Sequence, residues 1–233
     1  MEKSCNILLY SAITRMLPSV AYIKRYFKIN PKTAKVLFVP FADTENKYYL
    51  ALCKQALMLS GIQKSNISTL TSHTHKTAKF DIIFVSGGNV CQLKEKLEQI
   101  DWLNEIKNRI LNGVLYIGDS AGAVLLGNTI EHTLEWEPYQ NKLQNYKGLN
   151  IIDKGVVVHY SLLRYSGKNG LVEEPEGFEA HVKQTQFLGE NNFLTIANNQ
   201  VIIGRKGKLK NKFFSWRKIQ KSTTKESKKY GKR

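Results

Sequence analysis

LYIGDSAGAVLLG, residues 115–127, joins an apolar run to a serine set between small residues and then to a second apolar run. Gly118-Asp119-Ser120-Ala121-Gly122 fits the GxSxG nucleophile-elbow pattern. The chemistry needs these residue types because a sharp strand-to-helix turn pushes the serine Oγ out over the sheet edge. Small neighbours remove the clash that such a turn would otherwise cause. The amide of Ala121, at the helix start, then faces the same space and can stabilise a developing oxyanion. A serine that caps the helix is the plain alternative. The position of Ser120 at the end of a buried run favours the nucleophile.

Outward from this stretch, similar runs recur at intervals suited to intervening helices. NILLY (6–10), KVLFVPF (35–41), DIIFVSGG (81–88), VLYIGDS (114–120), KGVVVHY (154–160) and NQVIIG (199–204) read as strands. Several are continuously apolar, the pattern of strands buried on both faces. Helical candidates lie between them at 18–27, 46–60, 90–99, 102–112 and 121–127. Strands alternating with helices predict an α/β fold, a mostly parallel sheet with helices on both faces. Functional groups in such sheets gather at the carboxyl ends of the strands.

The 233 residues, 42% hydrophobic and 10% aromatic, suit one sizeable domain with a real core. Cys5, Cys53 and Cys91 are odd in number, widely spaced and without CxxC. They form neither a disulfide framework nor a zinc pattern, which predicts a reducing, cytoplasmic setting and no metal or other cofactor. The N-terminal apolar stretch is about six residues, shorter than a signal peptide or a membrane span requires. The net charge of +16 is concentrated late: residues 205–233 carry an excess of twelve positive charges, and residues 1–204 an excess of only four. We therefore expect one domain over 1–219 and a basic, disordered tail over 220–233. Solubility is the tail's simplest role. Contact with nucleic-acid phosphates is the alternative, although no nucleic-acid-binding motif accompanies it.

Two strand ends carry the candidate chemistry. VSGGN (85–89) lacks the GxxxxGK(S/T) and GxGxxG phosphate-binding spacings, but its Gly87-Gly88 turn can supply a second oxyanion donor beside Ala121. The serine also needs a base. His73 and His75 lie in a polar loop, and His132 follows the elbow helix in a polar stretch with no element to hold it. His159 ends the apolar strand GVVVHY, which would place it at the same sheet edge as Ser120. His181 ranks second. The orienting acid is expected between serine and histidine, where Glu131, Glu135 and Glu137 are the candidates. No HGGG-type oxyanion loop precedes the elbow, which disfavours a lipase or esterase. No cysteine occupies the elbow, which disfavours an amidotransferase-like amidase.

SGGN (86–89), IGDSAGA (117–123), NTIEHTLEWEP (128–138) and VVVHY (156–160) resemble the corresponding segments of the peptidase E family of aspartyl dipeptidases, which includes cyanophycinase. The resemblance runs from the first strand to about residue 204. It implies a flavodoxin-like core shared with class I glutamine amidotransferases, carrying Ser where those carry Cys. By position it puts the nucleophile on Ser120, the base on His159, the oxyanion amides on Gly88 and Ala121, and the acid on Glu135, where the family enzyme has an aspartate. Asp119 stands where a bulkier or neutral residue is usual. Aspartyl specificity in the family depends on basic side chains after the histidine. Here SLLRYSGKNGLVEEPEGFEAH (161–181) offers Arg164, whose guanidinium fork matches a substrate carboxylate, ahead of a strongly acidic stretch. The expected protein is a serine peptidase that cleaves short peptides, aspartyl dipeptides among them, through a Ser-His-Glu triad and an acyl-enzyme. A binding module of the same fold that has lost turnover, with a basic tail reaching nucleic acid, is the alternative.

Overall fold

Each apolar run becomes a strand because a β-rich aliphatic segment can bury both of its faces at once. The computed structural model describes residues 5–12, 22–134, 143–159, 192–197 and 200–213. In chain order its elements are β1 (Asn6–Tyr10), α1 (Tyr22–Phe27), β2 (Val36–Val39), α2 (Lys47–Leu59), β3 (Ile67–Thr69), β4 (Ile82–Val85), α3 (Val90–Gln99), α4 (Leu103–Leu111) and β5 (Leu115–Asp119). They continue with α5 (Ala121–Val124), β6 (Gly155–Val157), β7 (Phe193–Thr195), β8 (Gln200–Arg205) and β9 (Lys208–Phe213).

Seven strands form one sheet in the order β3-β2-β4-β5-β1-β8-β9. The first five run parallel, and β8 and β9 complete the sheet antiparallel. Alternate residues of each central strand enter opposite cores. Ile7, Leu9, Leu37, Val39, Ile83, Val85 and Tyr116 pack with α3, α4 and α5 on one face. Leu8, Tyr10, Val36, Phe38, Ile82, Phe84, Leu115 and Ile117 pack with α1 and α2 on the other. This is the mostly parallel, helix-covered sheet expected from the sequence, in a flavodoxin-like layout. Asparagines start two of the helices: Asn46 Oδ1 accepts from the Tyr49 amide at 3.0 Å and Asn89 Oδ1 from the Gln92 amide at 2.9 Å.

α1 leaves β1 on one face, whereas α3 and α4 connect β4 to β5 on the other. The carboxyl ends of β1, β4 and β5 therefore open onto a common crevice, the usual ligand position in such sheets. Ser11, the Ser86–Asn89 turn and Ser120 are the residues found there.

The expectation that His159 ends a strand of this sheet is corrected. β6 stops at Val157 and pairs in parallel with β7, in a separate two-stranded sheet. A different device delivers the histidine. After α5 the chain is stitched to residues 149–154 by Leu149 N to Leu125 O (2.8 Å), Ile151 N to Leu126 O (3.1 Å) and Asn128 N to Lys154 O (3.1 Å). These bonds dock β6 against the elbow helix, and the next two residues carry His159 to the crevice. The helix expected over 121–127 is shorter, ending at Val124.

His132 also departs from expectation. It is buried, not loosely held: its Nε2 lies 2.9 Å from Val156 O, to which it donates, and its ring meets Phe193 edge-on at 5.2 Å. Burial pushes its pKa below the usual 6.5, with the bond to Val156 opposing the shift. The folded chain thus holds this imidazole neutral at a pH where the unfolded chain would protonate it. Its stabilising effect is complete above about pH 6.5 and is lost as pH falls through the lower folded value. We expect urea midpoints to fall more steeply from pH 7 to pH 5 in the native chain than in His132→Gln. That variant keeps an N–H donor for Val156 but does not titrate. The difference should not exceed about 1.4 kcal/mol per pH unit.

Candidate active site

The elbow is built by close approach. Ser120 follows β5 with φ 48° and ψ −111°, a strained region for a residue with a Cβ. Its amide donates to Tyr10 O at 2.9 Å, which holds the turn against β1. On the other side α5 comes so near β4 that a Cβ on Gly122 would lie 2.4 Å from Val85 O. Only glycine fits there. The buried Tyr116 hydroxyl donates to Gly122 O at 2.6 Å and fixes the same turn. Although Ser120 occupies the N-cap position of α5, its side chain caps no amide. The hydroxyl is engaged elsewhere: Ser120 Oγ lies 3.0 Å from His159 Nε2. His159, with φ 56°, has its Nδ1 3.1 Å from Ser11 Oγ and its own amide donating to that oxygen at 2.6 Å.

The Gly87-Gly88 turn closes the other wall. A Cβ on Gly87 would lie 2.9 Å from Ser120 Cβ, so the turn abuts the serine directly. Gly88 has φ 127°, and a Cβ there would be 2.3 Å from Ala42 O. The Gly87 amide is spent on Tyr49 Oη at 2.7 Å. Among the described residues, the Gly88 and Ala121 amides donate to no acceptor.

Tyr49, on α2, organises this wall. Its hydroxyl accepts from the Gly87 amide and donates to the buried carboxylate of Asp119. Burial, then the Asp119 charge, raise the Tyr49 pKa, so it remains a donor. The same two causes push the neighbouring Cys53 thiol up to about 12, which makes it an inert core residue rather than a second nucleophile. The unusual aspartate before the serine is thus accommodated by a phenol that also braces the glycine turn. Tyr49→Phe should leave a buried carboxylate and a buried amide each short of a partner. We expect it to lower stability by about 1–3 kcal/mol in urea denaturation.

Of the residues singled out in the sequence, Ser120, His159, Gly88 and Ala121 come together at one place. Glu135, Glu137, Arg164 and His181 lie outside the described residues. Ser11 and Tyr49 were not anticipated. Ser11 could have been found, since it follows β1 immediately and the carboxyl-end rule that selected Ser120 applies to it equally. Tyr49 carried no such signal. Among the described residues no group of three or more His, Cys, Asp or Glu side chains could hold a metal ion. No helix among them is long and apolar enough to cross a membrane.

Comparison with known proteins gives the family. Residues 7–210 match the family described as Peptidase family S51. An uncharacterized peptidase of Listeria monocytogenes is 28% identical over 208 residues, covering 86% of this chain and 94% of its own. Peptidase E of Salmonella arizonae is 27% identical over 210 residues, covering 85% and 90%. A crystal structure titled as a putative peptidase E from Listeria monocytogenes superposes with a TM-score of 0.71 at 26% identity, over 91% of this chain and 99% of that one. A GxSxG elbow on a parallel sheet, matched over most of its length by peptidases, leaves one assignment: the chain belongs to peptidase family S51 and is a serine-type peptidase.

Proposed function

We propose that the protein hydrolyses short peptides with Ser120 as nucleophile and His159 as general base. The observation that carries this reading is the 3.0 Å approach of Ser120 Oγ to His159 Nε2 at a strained elbow. In this reading Nε2 takes the Ser120 proton as Oγ attacks the substrate carbonyl carbon. The tetrahedral oxyanion sits between the Gly88 and Ala121 amides, whose lack of internal partners supports that role. The intermediate then collapses, the departing amine takes the proton from Nε2, and water releases the acyl group from Ser120. Glu135 supplies the acid that stabilises the imidazolium. Arg164 pairs with a substrate carboxylate, and that pairing favours aspartyl dipeptides. We place the protein in the cytoplasm, a setting that suits three buried free thiols.

A panel of dipeptides to tetrapeptides, including Asp-X dipeptides, followed by mass spectrometry tests this function. The expected result is cleavage of the shortest members with aspartate N-terminal, together with a transient acyl adduct mapped to Ser120. Cleavage without any adduct on Ser120 would sink the nucleophile assignment. No cleavage of any member would favour a binding module that has kept the elbow.

A further inference from the structure

Ser11 makes two contacts with one residue. It is fully buried at the carboxyl end of β1. Its Oγ accepts the His159 amide at 2.6 Å and lies 3.1 Å from Nδ1 of the same histidine. A hydroxyl has two lone pairs and one hydrogen. The His159 amide occupies one lone pair, which leaves two ways to meet Nδ1. If the Ser11 hydrogen pointed at Nδ1, the ring proton would sit on Nε2, facing Ser120, and the imidazole could not accept the Ser120 proton. If Nδ1–H instead donates to the second lone pair, Nε2 is an acceptor and the ring is a competent base. Which ring nitrogen is protonated is set by the bond that the other makes. The chelate also fixes the ring's direction, because backbone and side chain of His159 are tied to a single atom. That tie is what a residue held at φ 56° requires.

We propose that Ser11 is the positioning residue of the histidine, accepting from both its amide and its Nδ1–H and thereby holding the tautomer whose Nε2 faces Ser120. This rests on the reading of Ser120 and His159 as nucleophile and base. Ser11 is neutral, so it orients the ring without offering the imidazolium a counter-charge. That separates its role from the one given to Glu135.

The test uses the full chain, Ser11→Ala and Ser120→Ala. Two readouts are taken: the ring nitrogen shifts of 15N-labelled His159, which report the tautomer, and the rate at which 4-nitrophenyl acetate acylates Ser120, followed from pH 5 to pH 9. In the native chain we expect the Nδ1–H form. In Ser11→Ala the ring signals should move toward the Nε2–H form, and acylation should slow about 10- to 100-fold at every pH without displacement of the profile's midpoint. Ring signals that stay in the native position in Ser11→Ala overturn the proposal, whatever the rate does. So does a native acylation rate. Should Ser11→Ala fail to fold, Ser11→Cys replaces it, and its weaker acceptor should give a smaller shift of the same sign; no shift overturns the proposal. Failure of the underlying reading looks different: in that case Ser120→Ala would be acylated as fast as the native chain, while the ring signals still decide the role of Ser11.

Discussion

Ser120→Ala should lower kcat on any cleaved short peptide by roughly 10³- to 10⁶-fold while leaving the fold intact. The size follows from what is removed. On the proposed mechanism there is no acyl-enzyme without Oγ, and the amides of Gly88 and Ala121 would then only bind the carbonyl oxygen, leaving the residual catalysis of a bare oxyanion hole. The fold should survive because the hydroxyl supports no structure: it caps no helix amide, and the turn is held by the Ser120 amide on Tyr10 O and by Tyr116 on Gly122 O. An alanine at a positive φ costs no more than the serine it replaces. Steady-state kinetics on purified protein, with a thermal unfolding curve alongside, decide the matter. More than a tenth of the native activity in a folded variant would overturn the assignment.

His159→Ala should be about as damaging, because nucleophile and base act as one unit and losing either member removes most of what the pair achieves. The variant loses the Nε2 that lies 3.0 Å from Ser120 Oγ and also the ring that Ser11 contacts through Nδ1. Its pH dependence should flatten, since the remaining activity no longer requires a neutral imidazole. His181→Ala should reduce kcat by less than tenfold. A reversed outcome, with His181 indispensable and His159 replaceable, would show that the 3.0 Å approach has no part in turnover.

The central strands could be read from the sequence because β1, β2, β4 and β5 are continuous aliphatic runs, and burial on both faces leaves no other use for them. β3 was hidden: it is three residues long, with Ser68 and Thr69 exposed, so no run exists to be seen. β9 reads KLKNKF, with the alternate lysines that an exposed sheet edge carries to resist pairing with another chain. The elbow and the glycine turn were visible because their chemistry demands small residues at fixed spacing. His132 was misjudged because its burial comes from β6 and β7, which are remote in sequence and pack over it only in the folded chain. Ser11, whose Oγ lies 3.1 Å from His159 Nδ1, sits just past the first strand, 148 residues away in sequence. Short polar residues after strands carry no periodic signal, and only the sheet order reveals that the carboxyl end of β1 lies beside that of β5.

That sheet order also bears on inheritance. The elbow's amide hangs on the Tyr10 carbonyl and the histidine on Ser11, so the proposed machinery reaches the end of a strand that has no motif of its own. A random-mutagenesis screen for lost activity should therefore return lesions around residues 118–122 and, far from them in sequence, at Ser11. Lesions at Ser11 would behave genetically as active-site alleles, giving abundant but idle protein.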